Sequence, residues 1–347
     1  MGIRNLNRYL RDNCPESIRC INVADLSGKR IAVDISIYLY KYEAENALLE
    51  NMYNMLSIFR YYNIIPIFIF DGKPPQEKKA LLIKRQKDRE EARIEYDKLK
   101  QQLETKEDDY KQDVIYAMEQ LKKQIVHINK EKIEQVKTLI RAYGAIYYDA
   151  PGEADELCAL LVIKKKVWAC LSEDMDLFVY GCSRVLRYFS LIAHTAVLYF
   201  TKGILDELQM TQNEFKEICI LSGTDYNINA SNVGSNLKLT IKHFKKYKTS
   251  NKNDSNKNDS NKNDSNKNDS NKNDSNKNDS FYNWLIENTN YIKDLDLLLK
   301  IYSMFNLENY SQKLDIFKNI KIVNGPIRQD EIENIMREDD FIFCKNN

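Results

Sequence analysis

Three short runs of the chain are apolar almost throughout, and each is separated from the next by longer segments of mixed polarity. They are Lys29-Arg30-Ile31-Ala32-Val33-Asp34, the stretch 64–71, and Lys166-Val167-Trp168-Ala169-Cys170-Leu171. Runs of this length rich in β-branched residues read as strands buried on both faces. Helical segments are predicted between them at 35–62 and from 154 to about 164, with shorter strands at 145–148, 185–188 and 196–200. Strands alternating with helices predict an α/β fold, a twisted and mostly parallel sheet with helices on both faces. Residues 1–28 read as a helix over 6–12 followed by a loop. Thr201 caps a helix to about 208, and Thr211 with Glu214 forms a capping box for another over 211–221. A turn centred on Gly234 leads to a basic helix over 236–248, and helices are expected again at 281–285, 295–305 and 331–338.

Two stretches do not fit this layered pattern. From 76 to 143 the chain is charged, sparse in apolar positions and nearly free of Gly and Pro, which predicts a long solvent-bridging helical element. Its apolar spacing is too irregular for a coiled-coil rod. Lys78 and Arg85 lie seven apart and so share one helix face. Residues 251–280 are six copies of Asn-Lys-Asn-Asp-Ser, a unit with no face to bury, expected to be a solvated, disordered insert whose removal leaves activity unchanged. The expected organisation is an α/β region with the start of the polar helical element at 1–103, the rest of that element at 104–143, and a second α/β region with a helix–turn–helix at 144–250. The insert at 251–280 and a helical region at 281–347 complete it.

The candidate chemistry is carried by acids at the ends of these strands. Asp34 and Asp71 close the first two; Glu153 and Asp155 follow in Ala150-Pro151-Gly152-Glu153-Ala154-Asp155-Glu156. Asp174 and Asp176 follow the third, and Asp225 lies in Ser222-Gly223-Thr224-Asp225-Tyr226. Ligand sites in open α/β sheets sit at the carboxyl ends of strands. Carboxylates converging there cannot all stay ionised without a compensating charge. Mg²⁺ is the expected cation for hard oxygen donors. Taken singly, each Asp-x-Asp reads better as solvent-facing acids at a helix N-terminus, and it is the rest of the chain that overturns this.

Composition narrows the classes. Across 347 residues, 30% are charged and 43% apolar, and the formal charge of +1 makes no bulk case for a polyanionic partner. The local distribution does: 76–100 holds nine Lys/Arg, and 238–248 holds five Lys with His243. No apolar run reaches the ~18 residues of a membrane span, and no signal-peptide pattern opens the chain. Leu6 stands where a myristoylation motif carries Ser or Thr. The seven cysteines (14, 20, 158, 170, 182, 219 and 344) form no Cys-x-x-Cys pair, which predicts reduced thiols, an intracellular compartment and no zinc.

Together these motifs resemble the flap endonuclease (XPG-type) family of structure-specific nucleases. Met1-Gly2-Ile3-Arg4-Asn5-Leu6 resembles its N-terminal signature, Ala32-Val33-Asp34-Ile35-Ser36 its first acidic motif, and Phe70-Asp71-Gly72-Lys73-Pro74-Pro75 its second. Glu153-Ala154-Asp155, Ser172-Glu173-Asp174-Met175-Asp176 and Leu221-Ser222-Gly223-Thr224-Asp225-Tyr226 follow in family order. The resemblance covers residues 1–248 and, more loosely, 281–341. It implies a helical arch over 76–143, a duplex-gripping helix–turn–helix over 215–248, and DNA with a 5′ flap or junction as substrate. It also implies two Mg²⁺ ions, with Mn²⁺ as a substitute, stabilising the attacking and leaving oxygens of an in-line displacement. By the same resemblance Asp34, Asp71, Glu153, Asp155, Asp174, Asp176 and Asp225 hold the metals directly or through water. Lys78 and Arg85 would neutralise the scissile phosphate and Tyr40 would stack the adjacent base. Gly2 would lie at the junction where no side chain fits, and Gly234, Lys238, Lys242, Lys245 and Lys246 would contact the duplex.

Three features depart from the family pattern. Asp155 replaces the usual Glu, as in the 5′→3′ exonuclease branch. The turn Asn232-Val233-Gly234-Ser235 lacks the second glycine and following proline associated with a bound monovalent ion. No sliding-clamp box or basic tail is recognisable, since the apolar spacing over 312–317 is wrong for one. The expectation is a monomeric 5′ flap endonuclease and/or 5′→3′ exonuclease in DNA replication, repair or recombination, located in a nucleus or a cytoplasmic viral replication site. Asn-, Lys-, Ile- and Tyr-rich composition points to an AT-rich genome such as that of a large DNA virus or a protist. A Holliday-junction resolvase of the same family is the alternative within the class, favoured by Pro151-Gly152-Glu153 and disfavoured by the long arch. An RNA-cleaving relative is disfavoured by the arch and duplex grip together. A non-catalytic DNA-binding scaffold would be expected to have lost some of the acids.

Overall fold

The structure, a computed structural model, describes residues 2–105, 111–227, 236–258, 280–307 and 321–343. The turn bearing Gly234, the insert beyond residue 258, the 312–317 segment and Cys344 lie outside them. One seven-stranded sheet organises the chain, in the order β1-β7-β6-β5-β2-β3-β4. The strands are β1 (Ile18–Asn22), β2 (Arg30–Asp34), β3 (Ile65–Phe70), β4 (Ile146–Asp149), β5 (Ala169–Leu171), β6 (Arg184–Ser190) and β7 (Thr195–Phe200). From β6 through β4 the pairing is parallel, whereas β7 runs antiparallel to both β6 and β1.

The two-residue period of a strand sorts its side chains between two cores. Ile31, Val33, Phe68 and Phe70 enter the core shared with helices Ile35–Ala44, Leu48–Tyr61 and Lys130–Ala142. Ala32, Ile67 and Ile69 enter the opposite core, shared with helices Leu6–Asn13, Ala154–Ile163 and Gln212–Ser222. The same alternation turns Asp34 and Asp71 toward this second face.

Six sequence expectations change. Thr201, expected to cap a helix, is instead its first residue, with Phe200 at the N-cap, and the basic helix expected to end at 248 runs on to Asn258. β1 was not foreseen within 1–28; it is a half-exposed edge strand, so its apolar signal is weak. The helix expected over 35–62 is two helices, broken where Asn46 adopts φ 52°, a left-handed conformation that asparagine tolerates. The strand expected over 166–171 is confined to Ala169–Leu171. The polar stretch after 76 forms helices Lys79–Thr105 and Lys111–Ile125, which pack on each other. Lys130–Ala142, which the charge pattern assigned to the same element, instead buries Val136, Leu139 and Ile140 in the body.

Helices Gln212–Ser222 and Leu237–Asn258 also pack on each other. The second carries Phe244 and Tyr247 against Phe281 and Trp284 of helix Phe281–Asn288, with Tyr247 and Phe281 ring centroids 5.5 Å apart. The chain thus leaves for the insert and returns from it at one aromatic cluster, and Ser280 accepts a hydrogen bond from the Asn283 amide at 3.2 Å to cap the returning helix. Excision of residues 251–275, which keeps the last repeat as a linker, should leave flap cleavage within about twofold of wild type. Loop-closure entropy predicts an unchanged or slightly higher Tm, and a large loss of rate on the same substrate would contradict this.

Glu217 on helix Gln212–Ser222 is 8% exposed. Burial pushes its carboxyl from 4.5 up to about 7, against the opposing effect of a hydrogen bond from the Phe281 backbone. A carboxyl raised in the folded state binds its proton more tightly there than in the unfolded chain. Its contribution to stability is therefore complete below pH ~4.5 and lost as pH rises toward ~7. Glu217→Gln should stabilise the fold by about 1–3 kcal/mol at pH 8 and change little at pH 4.5. Denaturant melts at the two pH values check both halves.

Candidate active site

Parallel register brings the acid-bearing strand ends level. Asp34 is opposite Ile69, and Val33 is opposite Leu171, so the residue after each strand emerges at one edge of the sheet. Ser172, just past β5, donates its hydroxyl to Asp34 Oδ2 at 2.8 Å and accepts from the Asp174 amide at 3.1 Å. Asp174 Oδ1 in turn accepts from the Asp176 amide at 3.0 Å. Asp71 Oδ1 accepts from the Ala154 amide at 2.8 Å, which ties the end of β3 to the start of helix Ala154–Ile163. Gly72 is needed here: a Cβ on it would stand 1.8 Å from the Ala150 carbonyl oxygen.

Lys78 and Arg85 enter from the base of helix Lys79–Thr105. Lys78 Nζ lies 2.6 Å from Glu153 Oε1 and 3.9 Å from Asp225 Oδ2; Arg85 Nη2 lies 3.2 Å from Asp225 Oδ2. Tyr226 donates its hydroxyl to Glu153 Oε2 at 2.8 Å, and its ring lies 5.1 Å from the Lys78 ammonium. Asp34, Lys78, Asp155, Asp174, Asp176 and Asp225 are all buried.

Crowding shows in the acidities. Asp34 is pushed up to about 7 by burial and by the charges of Asp71 and Asp174. Asp155 is raised by burial, then by Glu153 and Asp174; Asp176 by burial, then by Asp174 and Asp225. Burial works against the Lys78 ammonium, but Asp155 and Glu153 more than offset it and raise its pKa. The seven acids therefore form one interacting set, with the buried Lys78 ammonium against Glu153, Asp155, Asp176 and Asp225.

Among the described residues, no three His, Cys, Asp or Glu side chains already stand as a closed metal cage. The donor set nevertheless fits a hard divalent cation. All seven donors are carboxylates, and both side-chain oxygens of fully buried Asp176 lack a hydrogen-bond partner, an arrangement that a metal ligand bond satisfies.

Gly2, at φ 77°, packs directly on this cluster. A Cβ there would fall 2.7 Å from Asp176 Oδ1 and 2.8 Å from Asp174 Oδ1. The space denied to a side chain is thus bounded by the acids. Tyr38 is a core residue and Tyr40 is 48% exposed. Tyr40 lines a cavity of about 390 Å³ with Phe70, Asp71 and Lys137. Lys238, Lys242, Lys245 and Lys246 line a groove of about 1000 Å³ with Arg8 and Trp284, away from the acids.

The sequence reading passed over three supports of the site. Ser172 and Tyr226 sit inside motifs singled out for their acids alone. Arg187, 6% exposed, donates to Asn7 Oδ1 at 2.7 Å and to the Glu173 carbonyl at 2.9 Å, and pairs with the Glu173 carboxylate at 3.3 Å. It clamps helix Leu6–Asn13 to the loop that carries Asp174 and Asp176. Its one signal was a charge inside the apolar run of β6.

Comparison with known proteins matches this arrangement to two family models: the XPG N-terminal domain over residues 1–92 and the XPG I-region over residues 144–225. Flap endonuclease 1-A of Oryza sativa subsp. japonica is 33% identical over 264 residues, spanning 70% of this chain and 67% of the relative. Flap endonuclease 1 of Aedes aegypti is 31% identical over 270 residues, spanning 73% and 68%. Among solved structures, the catalytic core of Rad2 in complex with DNA substrate superposes with a TM-score of 0.59 at 20% identity, covering 97% of this chain and 94% of that one. Flap endonuclease-1 from Methanococcus jannaschii gives 0.51 at 18% identity, covering 93% and 97%. These structural likenesses establish the fold, and with the sequence matches they place the chain: it belongs to the XPG (flap endonuclease) family of nucleases.

Proposed function

We propose that this protein is a Mg²⁺-dependent, structure-specific 5′ nuclease. It hydrolyses DNA phosphodiester bonds at 5′ flaps and single-strand/double-strand junctions, and acts as a monomer. The observation that carries this reading is the convergence of Asp34, Asp71, Glu153, Asp155, Asp174, Asp176 and Asp225 into one interacting set at one sheet edge, with Lys78 against four of them. These acids would hold two Mg²⁺ ions, or Mn²⁺ in their place; when bound, the ions supply charge stabilisation to both oxygens of an in-line displacement.

The rest of the reaction falls to the chain's own side chains. Lys78 and Arg85, aimed at the acids from the base of helix Lys79–Thr105, would receive the negative oxygens of the scissile phosphate. Arg85, with its side chain 41% exposed, is the better placed to swing toward an incoming strand. Tyr40 offers an exposed ring beside Asp71, on which the neighbouring base would stack. Gly2 keeps Asp174 and Asp176 clear of any side chain from the N-terminus. The four lysines of helix Leu237–Asn258 would hold a duplex backbone at a distance from the cut.

The test is single-turnover cleavage of end-labelled DNA with Mg²⁺ and with chelator. The substrates are a 5′ flap, a nicked duplex, a four-way junction and a single strand. Mg²⁺-dependent incision at the flap base is the expected result. Mononucleotide release from the nick would place the protein in the exonuclease branch, and paired symmetrical cuts in the junction would make it a resolvase. Binding without any cutting would overturn the reading in favour of a DNA-binding scaffold.

A further inference from the structure

The amino-terminal ends of the parallel strands, at the pole opposite the acids, border a second site that the nuclease reaction does not use. A cavity of about 820 Å³ opens there between the starts of β2, β3, β5 and β6, within the size range of pockets that hold small ligands. Four cations line it, Lys29, Arg30, Lys165 and Arg184, and among the described residues no acidic side chain does. Two of them converge on one ring: Arg184 Cζ lies 5.1 Å and Lys29 Nζ 5.9 Å from the Trp168 centroid. The indole attracts both cations through its π face and holds them close together despite their like charge. Val167, Ile65 and Val162 supply an apolar wall beside them.

Cations concentrated without counter-charges in a concave pocket are arranged for an anion. The seven acids of the candidate active site lie at the opposite, carboxyl ends of these strands. The rise of β2 from Arg30 to Asp34 separates the two poles by about 13 Å. A guanidinium fork beside ammonium point charges suits phosphate, while the apolar wall and the stacked Arg184–Trp168 pair suit a flat ring. An acidic peptide would find the charges but offers no flat ring to the apolar wall beside Trp168.

We infer that the pocket at the amino ends of β2, β5 and β6 binds a nucleotide unit, its phosphate on Lys29, Lys165 and Arg184 and its base against Trp168 and Val167. The same chemistry is offered by a free nucleotide and by one residue of a single strand.

Fluorescence anisotropy of the full-length protein in chelator separates these sources, with labelled dAMP as one probe and a labelled ten-residue oligo(dT) as the other. Chelator prevents cleavage. Binding of either probe is expected, and the tighter one identifies the source. The double variant Lys29→Glu/Lys165→Glu changes two exposed residues, so folding is preserved. It should weaken binding by about tenfold or more while leaving flap cleavage at saturating substrate unchanged. Lys78→Ala/Arg85→Ala, which removes the cations of the acid site, should leave probe binding intact. The inference is overturned if neither probe binds, if the Lys29/Lys165 variant binds normally, or if binding disappears with Lys78 and Arg85. Displacement of both probes by poly-glutamate at lower concentration than by unlabelled nucleotide would also overturn it, assigning the pocket to an acidic protein.

Discussion

Asp176→Asn should reduce single-turnover flap cleavage by roughly three orders of magnitude and at the same time raise the melting temperature of the metal-free protein. The two effects share one cause. Asp176 is fully buried, neither of its oxygens has a hydrogen-bond partner, and Asp174 and Asp225 press on its charge. In the proposed reading this unpaired charge is a cost accepted in the free protein and recovered when a cation binds. Asparagine keeps the shape and removes the charge. The metal-free fold should gain on the order of 1–3 kcal/mol, or a few degrees in Tm for a chain of this size. Removing a preorganised charge from a phosphoryl-type site costs at least the 10²–10³-fold seen for single stabilising groups, and more when a metal is displaced. Mg²⁺ should raise the wild-type Tm by mass action and raise that of the variant much less. A lower Tm for Asp176→Asn in chelator would show instead that the carboxylate is structural.

Lys78→Ala carries the opposite sign in stability. Lys78 is 7% exposed and, among the described residues, is the buried cation close to Glu153, Asp155 and Asp225. Alanine leaves those acids without the charge that balances them, and breaking a buried pair from one side is strongly destabilising. The Glu153 side chain is 18% exposed and solvent screens part of the loss, so about 2–3 kcal/mol is expected in chelator. The rate should fall about 10²–10³-fold, because the phosphate loses a preplaced cation. Arg85→Ala, at a more exposed position, should cost less in both measurements. The double variant should fall short of the sum, since both cations meet the same Asp225 oxygen. Stopped-flow cleavage and denaturant melts of the three variants decide it; an unchanged rate in Lys78→Ala would make the lysine a structural counter-ion only.

The central strands and the acids at their ends were legible because β2 and β3 are buried on both faces and end abruptly on aspartate. Tyr38 and Tyr40 were separable in principle: Tyr38 and Tyr42 are four apart on one helix face and both are buried, which leaves Tyr40 on the other. Helix Lys130–Ala142 escaped assignment to the body because charged residues such as Lys137 mask its apolar stripe. That lysine is itself buried, pairing with Asp149 at 2.8 Å and lying over the Phe70 and Tyr147 rings. The clamp of Arg187 on Asn7 joins residues 180 apart in sequence, and no local pattern reports a contact of that range. The convergence of the acids on one another is likewise a tertiary fact, since it depends on the level register of β2, β3 and β5.

The most direct measurement is anomalous diffraction at the manganese edge from crystals grown in chelator and then soaked in Mn²⁺. The account predicts two peaks within the cluster formed by Asp34, Asp71, Glu153, Asp155, Asp174, Asp176 and Asp225, at least one of them bonded to Asp176. Full-occupancy manganese elsewhere with none in this cluster would contradict it.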